Sequence, residues 1–326
     1  MPPRKRPTPI LPKLPTCTAY TTSNGAMLVG ESEIVLSRPE LRALKGKVQL
    51  IFTSPPFPLN HKKKYGNLRG GDYVMWLAKF GPIMRELLKP DGSIVIELGN
   101  SWEEGHPTMS TLPMRALLYF QEQNFLHLCQ EFICHNPARL PSPAEWVTVR
   151  RIRLKDSYTR LWWLSPDRYP KANNRNVLKP YSAAQTKLIE SGKFNTGRRP
   201  SQFVIAEKKF AKNNGGSISP NVLSISNTRS RDGYQEYCRT NDIEFHPARM
   251  PIELPKFFIN FLTSPGDIVL DPFGGSNTTG AAADELGRYW VTVEPNESYV
   301  RGSMGRFDAK QLQRYSGRLS GKASRR

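Results

Sequence analysis

Apolar residues in this chain fall into short continuous runs separated by stretches with helical spacing. Val48-Gln49-Leu50-Ile51-Phe52 and Ile94-Val95-Ile96 are nearly unbroken apolar runs of strand length, the pattern of strands covered on both faces in a parallel sheet. Between them, residues 72–88 carry Trp76, Phe80, Ile83, Met84 and Leu87 on a helical stripe, and Pro90-Asp91-Gly92 predicts a turn before the next strand. Ahead of them, residues 16–30 predict short strands about the turn Ser23-Asn24-Gly25, and 38–44 a short helix. A helix over 109–124 and a strand over 125–134 follow. In the last third, 253–262 predicts a helix with Phe257, Phe258, Phe261 and Leu262 on one side. A strand to 271, a helix over 277–286, a strand over 289–293 and a helix over 296–307 complete the series. Alternating strands and helices predict an α/β fold with a doubly wound sheet.

The alternation fails from 136 to 245, where loops rich in Arg, Lys, Asn, Pro and aromatic residues replace it. Charge changes there too. Residues 150–199 hold thirteen basic and three acidic residues, 1–13 hold four basic and no acidic ones, and 301–326 hold eight basic and one acidic. The formal net charge of +19 therefore sits in one internal block and two tails on a near-neutral scaffold, as a polyanion-binding surface requires. Arg150, Arg151, Arg153 and Lys155 open the basic block and are candidate phosphate contacts, as are Lys62, Lys63 and Lys64. A solvated charge run is the alternative for the lysines. Trp162-Trp163 fits either packing within the region or base stacking. The expected organisation is a disordered basic tail over 1–15, a catalytic half over 16–135, a recognition insert over 136–245, a second half over 246–307 and a basic tail over 308–326.

Four cysteines and five histidines show neither paired nor metal-ligand spacing, so a metal is not expected. No apolar run has the length of a membrane span, and 1–14 lacks a signal-peptide core, which predicts a reducing, cytoplasmic setting without membrane contact. Arg4-Lys5-Arg6 reads as a nuclear address or, more simply, as part of a basic tail.

Candidate chemistry gathers at strand ends, where ligands of open α/β sheets collect. The 48–52 run leads into Ser54-Pro55-Pro56-Phe57, whose prolines lack amide hydrogens and stop the ladder in a rigid, extended turn. A hydroxyl, a prolyl carbonyl and an aromatic face are thereby presented together, a set suited to the exocyclic amine of a flat heterocycle. Asp271-Pro272-Phe273-Gly274-Gly275-Ser276-Asn277-Thr278-Thr279-Gly280 reads as an acidic strand end, a glycine turn and a helix start, which suit an anionic ligand. Glu294 ends the next strand and suits ribose hydroxyls. Glu97, after the 94–96 strand, either orients Ser54 or simply faces solvent.

Ser-Pro-Pro-Phe resembles the catalytic motif of the DNA amino-methyltransferases, and Asp-Pro-Phe-Gly-Gly-Ser resembles the cofactor motif of the same family. Their order, with the insert between them, resembles the β-class enzymes of restriction-modification type, especially the PvuII-type cytosine-N4-specific group. The resemblance implies a circularly permuted, Rossmann-like, S-adenosylmethionine-dependent methyltransferase sheet with an inserted DNA-recognition region. Ser54, Pro55, Pro56, Phe57 and Glu97 would then act on a flipped base. Glu31, Thr53, His246, Pro247, Asp271, Pro272, Phe273, Gly275, Ser276, Asn277, Thr278, Thr279 and Glu294 would hold S-adenosylmethionine. Glu31 stands where the family has Asp, and His246 also suits an ordinary turn. Methylation at cytosine C5 needs a nucleophilic cysteine in a Pro-Cys pair, and none of Cys17, Cys129, Cys134 and Cys238 follows a proline. Adenine-N6 members usually have Asp or Asn in place of Ser54 and commonly Tyr in place of Phe57, so cytosine N4 in duplex DNA is the expected target. Adenine N6 and a non-catalytic DNA-binding protein are the alternatives. A monomer or weak dimer is expected, and a restriction endonuclease acting on the same site without a stable complex is a candidate partner.

Overall fold

The computed structural model describes residues 10–57, 68, 70–192, 197–198, 200, 204–205, 212–227 and 232–314. Lys62, Lys63 and Lys64 lie outside the described residues. Two compact units form, one from residues up to 172 together with those from 221 onward, the other from 173 to 220. The strands in chain order are β1 (Thr18–Thr21), β2 (Gly25–Val29), β3 (Val48–Thr53), β4 (Leu88–Gly99), β5 (His127–His135), β6 (Tyr158–Ser165), β7 (Gly197–Arg198), β8 (Val204–Ile205), β9 (Val222–Ser224), β10 (Ile268–Asp271), β11 (Tyr289–Glu294) and β12 (Gln313–Arg314). The helices are α1 (Ser32–Leu36), α2 (Gly70–Ala78), α3 (Phe80–Leu87), α4 (Leu112–Gln123), α5 (Ala183–Ser191), α6 (Gly233–Thr240), α7 (Glu253–Leu262), α8 (Thr278–Glu285) and α9 (Glu297–Ser303).

Ten strands form the main sheet in the order β12-β1-β2-β11-β10-β3-β4-β6-β5-β9. Its centre, from β2 through β11, β10 and β3 to β4, is parallel. As the 48–52 and 94–96 runs require, both faces are covered. Val48, Ile51, Ile94 and Ile96 pack in one core with Tyr73, Phe80, Met84 and Phe120 from α2, α3 and α4. Leu50, Phe52 and Val95 pack in the other with Phe258 and Leu262 of α7 and Ala282 of α8. From β3 the chain crosses through α2 and α3 to β4 on one side, and from β10 through α8 to β11 on the other. The neighbours β3 and β10 therefore form the switch point of the sheet, where a crevice opens at the strand ends.

Several elements differ from the sequence pattern. The 72–88 helix is broken at Lys79 into α2 and α3, and Pro82 sits in the first turn of the second piece, where its missing amide hydrogen breaks no helical bond. Pro90-Asp91-Gly92 is not a turn between elements but an irregularity within β4. Partners shift from Val48↔Leu88 to Leu50↔Ser93, and the displaced Asp91 carbonyl accepts from Gln49 Nε2 at 3.2 Å. The 136–245 stretch supplies β6 and β9 to the main sheet. On β6, Trp162 and Trp163 are buried, and Trp163 Nε1 donates to Ser93 Oγ on β4 at 2.8 Å, so both tryptophans are packing residues of the sheet. The compact unit over 173–220 contains the β7–β8 pair and α5, which is capped by Ser182 and closed by Gly192 in the left-handed region at φ 63°. Among the described residues, no helix is long and apolar enough to cross a membrane.

Candidate active site

The ends of β3 and β10 are joined by side chains. Thr53 Oγ1 donates to Asp271 Oδ1 at 2.7 Å, which locks the strand leading to Ser54 onto the strand leading to the glycine turn. Asp271 also accepts from Thr279 Oγ1 at 2.7 Å and from the Phe273 amide at 3.0 Å. Burial pushes its carboxyl up to about 6 although all three donors oppose that shift. The carboxylate thus fixes the turn between β10 and α8 from three directions.

Beside this junction lies a cavity of about 410 Å³, within the size range of small-molecule sites. Ser54, Pro55, Pro56, Phe57 and Glu97 all line it. His246, Pro247, Asp271, Phe273, Gly275, Ser276, Thr278, Thr279 and Glu294 line it as well. Four of the residues assigned to the cofactor do not. Thr53 is buried under Asp271, Pro272 turns its carbonyl to the Ser32 hydroxyl, and Glu31 is exposed ahead of α1. Asn277 is wholly buried in the left-handed region at φ 55°. Its side chain caps α8 by accepting from Gly280 N at 3.1 Å and donates to Tyr20 Oη at 2.9 Å, so it shapes the turn from behind.

On the β3–β4 side, Glu97 accepts from Thr159 Oγ1 at 2.7 Å, and the nearby Ser54 hydroxyl favours its charged form. Burial raises its carboxyl above the usual range. Phe57 lies against the backbone of Gly99 at the end of β4; a Cβ there would come within 2.5 Å of Phe57 Cε2. Gly99→Ala must therefore displace the ring. Misplacement by about 1 Å can cost roughly 100-fold in turnover, so steady-state kinetics on this variant should show a loss of that order with little change in cofactor affinity.

On the other side, Gly275 adopts φ 51°, and its amide donates to Glu294 Oε2 at 2.9 Å. Asn296 N donates to Glu294 Oε1 at 3.0 Å. Burial pushes the Glu294 carboxyl up to about 7, with the nearby charges of Asp271 and Glu31 adding to the effect. His246 packs edge-on against Tyr299 with ring centroids 4.6 Å apart, and burial pushes it down to about 4. Its Nδ1 accepts from Ala248 N at 3.2 Å, so the neutral ring carries its proton on Nε2, the nitrogen nearest Gly275.

Several lining or supporting residues carry no local sequence signal. Thr159 reaches Glu97 only because β6 pairs with β4, bringing Thr159 opposite Gly99. Arg306 donates from Nε to the Ser276 carbonyl at 2.5 Å and from Nη2 to Ser276 Oγ at 3.0 Å, holding the glycine turn from the C-terminal end. Arg150, Arg151, Arg153 and Lys155 lie outside the cavity lining. Arg150 pairs with Glu145 at 2.7 Å, while Arg151 and Lys155 are exposed. Among the described residues, no group of three or more His, Cys, Asp or Glu side chains is placed to hold a metal ion.

A central parallel sheet whose switch point joins a Ser-Pro-Pro-Phe turn to an Asp-Pro-Phe-Gly-Gly turn defines a methyltransferase, and this chain belongs to the N6/N4 DNA methylase family, which it matches over residues 48–305. It is 45% identical over 292 residues to the type II methyltransferase M.PvuII of Proteus hauseri, covering 89% of this chain and 85% of that one. The solved structure of PvuII DNA methyltransferase (cytosine-N4-specific) superposes with a TM-score of 0.70 at 38% identity, over 88% of this chain and 87% of that one. A more distant likeness, to the M1.HpyAVI–SAM complex at 19% identity and a TM-score of 0.53, covers 87% of this chain and all of that one, and concerns the fold alone.

Proposed function

We propose that the chain transfers a methyl group from S-adenosylmethionine to the exocyclic N4 amine of a cytosine turned out of duplex DNA. The observation that carries this is one cavity lined both by the Ser54-Pro55-Pro56-Phe57 turn with Glu97 and by the turn in which the Gly275 amide donates to Glu294. The chain's order, catalytic turn before cofactor turn, supports a circularly permuted arrangement.

The residues present fit the cofactor. Glu294 offers a carboxylate suited to ribose hydroxyls, Gly275 leaves room for close approach, and the hydroxyls of Ser276, Thr278 and Thr279 border the cavity near the start of α8, where a carboxylate is favoured. When bound, S-adenosylmethionine supplies an electrophilic methyl carbon. Everything else falls to the protein. The Ser54 hydroxyl and the Pro55 carbonyl accept the two amine hydrogens and make the nitrogen a better nucleophile, while Phe57 stacks on the pyrimidine. The proton that the amine must shed passes to Ser54 Oγ and the serine hydrogen passes to Glu97, whose buried carboxyl holds a proton more readily than an exposed one. Covalent chemistry at cytosine C5 is disfavoured. Cys134 does line the cavity, but burial and then the Glu97 charge push its thiol up to about 12.

Ribose hydroxyls donate best to a deprotonated carboxylate, so cofactor affinity should rise as the pH climbs through about 7, where Glu294 loses its proton, and level off above it. Calorimetric titration across this range checks the sign, and Glu294→Gln should remove the dependence while weakening binding. The substrate class is tested by supplying a radiolabelled methyl donor with duplex DNA, RNA or protein; label in DNA alone supports the assignment, and label only in RNA or protein overturns it.

A further inference from the structure

Leu154 is 89% exposed, yet both of its neighbours are tied down. Arg153 donates to the Pro107 carbonyl at 2.9 Å and to Asp156 at 3.3 Å, and its guanidinium lies over the Trp102 ring at 5.5 Å. Lys155 Nζ donates to the carbonyls of Arg139 at 3.1 Å and Pro137 at 3.4 Å. The Asn136 amide closes the neck of the same loop on the Ser157 carbonyl at 2.7 Å. That neck borders the active site, since Asn136, Arg139, Tyr158 and Thr159 line its cavity. Val149 and Ile152 are also exposed, at 69% and 60%, and the exposed Arg151 lies between them. A clamped backbone that holds an aliphatic side chain in water, among basic residues and at the mouth of a site for a turned-out base, does nothing for folding. It suits a polyanion with an apolar interior, which is duplex DNA.

We propose that Leu154 is a wedge that enters the DNA base stack next to the target and occupies the space the turned-out base leaves. Apolar side chains inserted between base steps are a general means of stabilising unstacked DNA, and Arg151 beside the wedge meets the phosphates. Arg153 and Lys155 act through the loop, by holding it rigid. The inference rests on the reading of the chain as a DNA base methyltransferase.

The test compares a duplex carrying the site methylated by the wild-type chain with the same duplex in which the target base is mispaired and already loosened. Leu154→Ala should methylate the paired duplex on the order of tenfold more slowly and the mispaired one at about the wild-type rate, because the wedge matters only while extrusion costs energy. Leu154→Phe, which keeps an apolar wedge, should retain the paired rate. A Leu154→Ala rate equal to wild type on the paired duplex, or equally slowed on both, overturns the wedge. A wild-type chain that labels neither duplex overturns the methyltransferase reading itself, and the wedge with it.

Discussion

Ser54→Ala should lower kcat by roughly 100- to 1000-fold, the range seen when one preorganised hydrogen-bonding group is removed from a transition state. Cofactor affinity should change little, because Ser54 belongs to the β3 turn whereas the proposed cofactor residues cluster at the ends of β10 and β11. The loss has two parts. One acceptor for the amine disappears, and with it the proposed proton path through Ser54 to Glu97, which the Thr159 hydroxyl holds in place. Rapid-quench turnover together with calorimetric cofactor binding separates the two effects. A variant that loses both in equal measure would place Ser54 in the cofactor site.

Asp271 is the second position where a large effect is expected, and here two substitutions should diverge. Asp271→Ala leaves the Thr53 hydroxyl, the Thr279 hydroxyl and the Phe273 amide facing a void, and each buried unsatisfied group costs about 1–3 kcal/mol. A sharp drop in Tm and loss of cofactor binding should follow. Asp271→Asn keeps one acceptor for Thr53 and Phe273, and its amide can donate to a rotated Thr279 hydroxyl. The carboxyl's upward shift to about 6 fixes the sign of the pH effect. A folded-state pKa above the unfolded one means that the folded state holds the proton more tightly. This group's contribution to stability is therefore largest in acid, falls between about pH 4 and pH 6, and is constant above that. Asp271→Asn does not titrate, so thermal melts should show it gaining on the wild type across that window and keeping the gain above it. Parallel Tm profiles for the two proteins would contradict the assignment of a raised pKa to Asp271.

The local halves of the site were legible in the sequence because each is one continuous string at the end of an apolar run. Ser54-Pro55-Pro56-Phe57 and Asp271 through Thr279 each declare a strand end and a turn by composition alone. Their adjacency was not legible from local pattern, since it depends on β3 pairing with β10 across 218 residues from Thr53 to Asp271. Asn277 shows how one member of a string can act differently from its neighbours. Its backbone conformation turns the amide away from the cavity toward Tyr20, 257 positions distant. Thr159 and Arg306 were illegible for the same reason, because their partners Glu97 and Ser276 are local in space only. The aperiodic 136–245 stretch concealed β6, a regular strand, because its aromatic and basic residues read as recognition chemistry while Leu161, Trp162, Trp163 and Leu164 are buried in the sheet. Arg153 and Lys155 read as phosphate contacts by charge; in the fold Arg153 is held by Asp156 and the Pro107 carbonyl, and Lys155 by the carbonyls of Pro137 and Arg139.

The central claim is the target atom. Purified protein is incubated with S-adenosylmethionine carrying a labelled methyl group and with unmethylated duplex DNA; the DNA is digested to nucleosides, and the labelled nucleoside is identified by mass spectrometry. N4-methylcytosine is the predicted product, formed at a greatly reduced initial rate when Ser54→Ala replaces the wild type under the same conditions. N6-methyladenine as the labelled product would contradict the account of Ser54 and Phe57 while leaving the fold and the cofactor site intact.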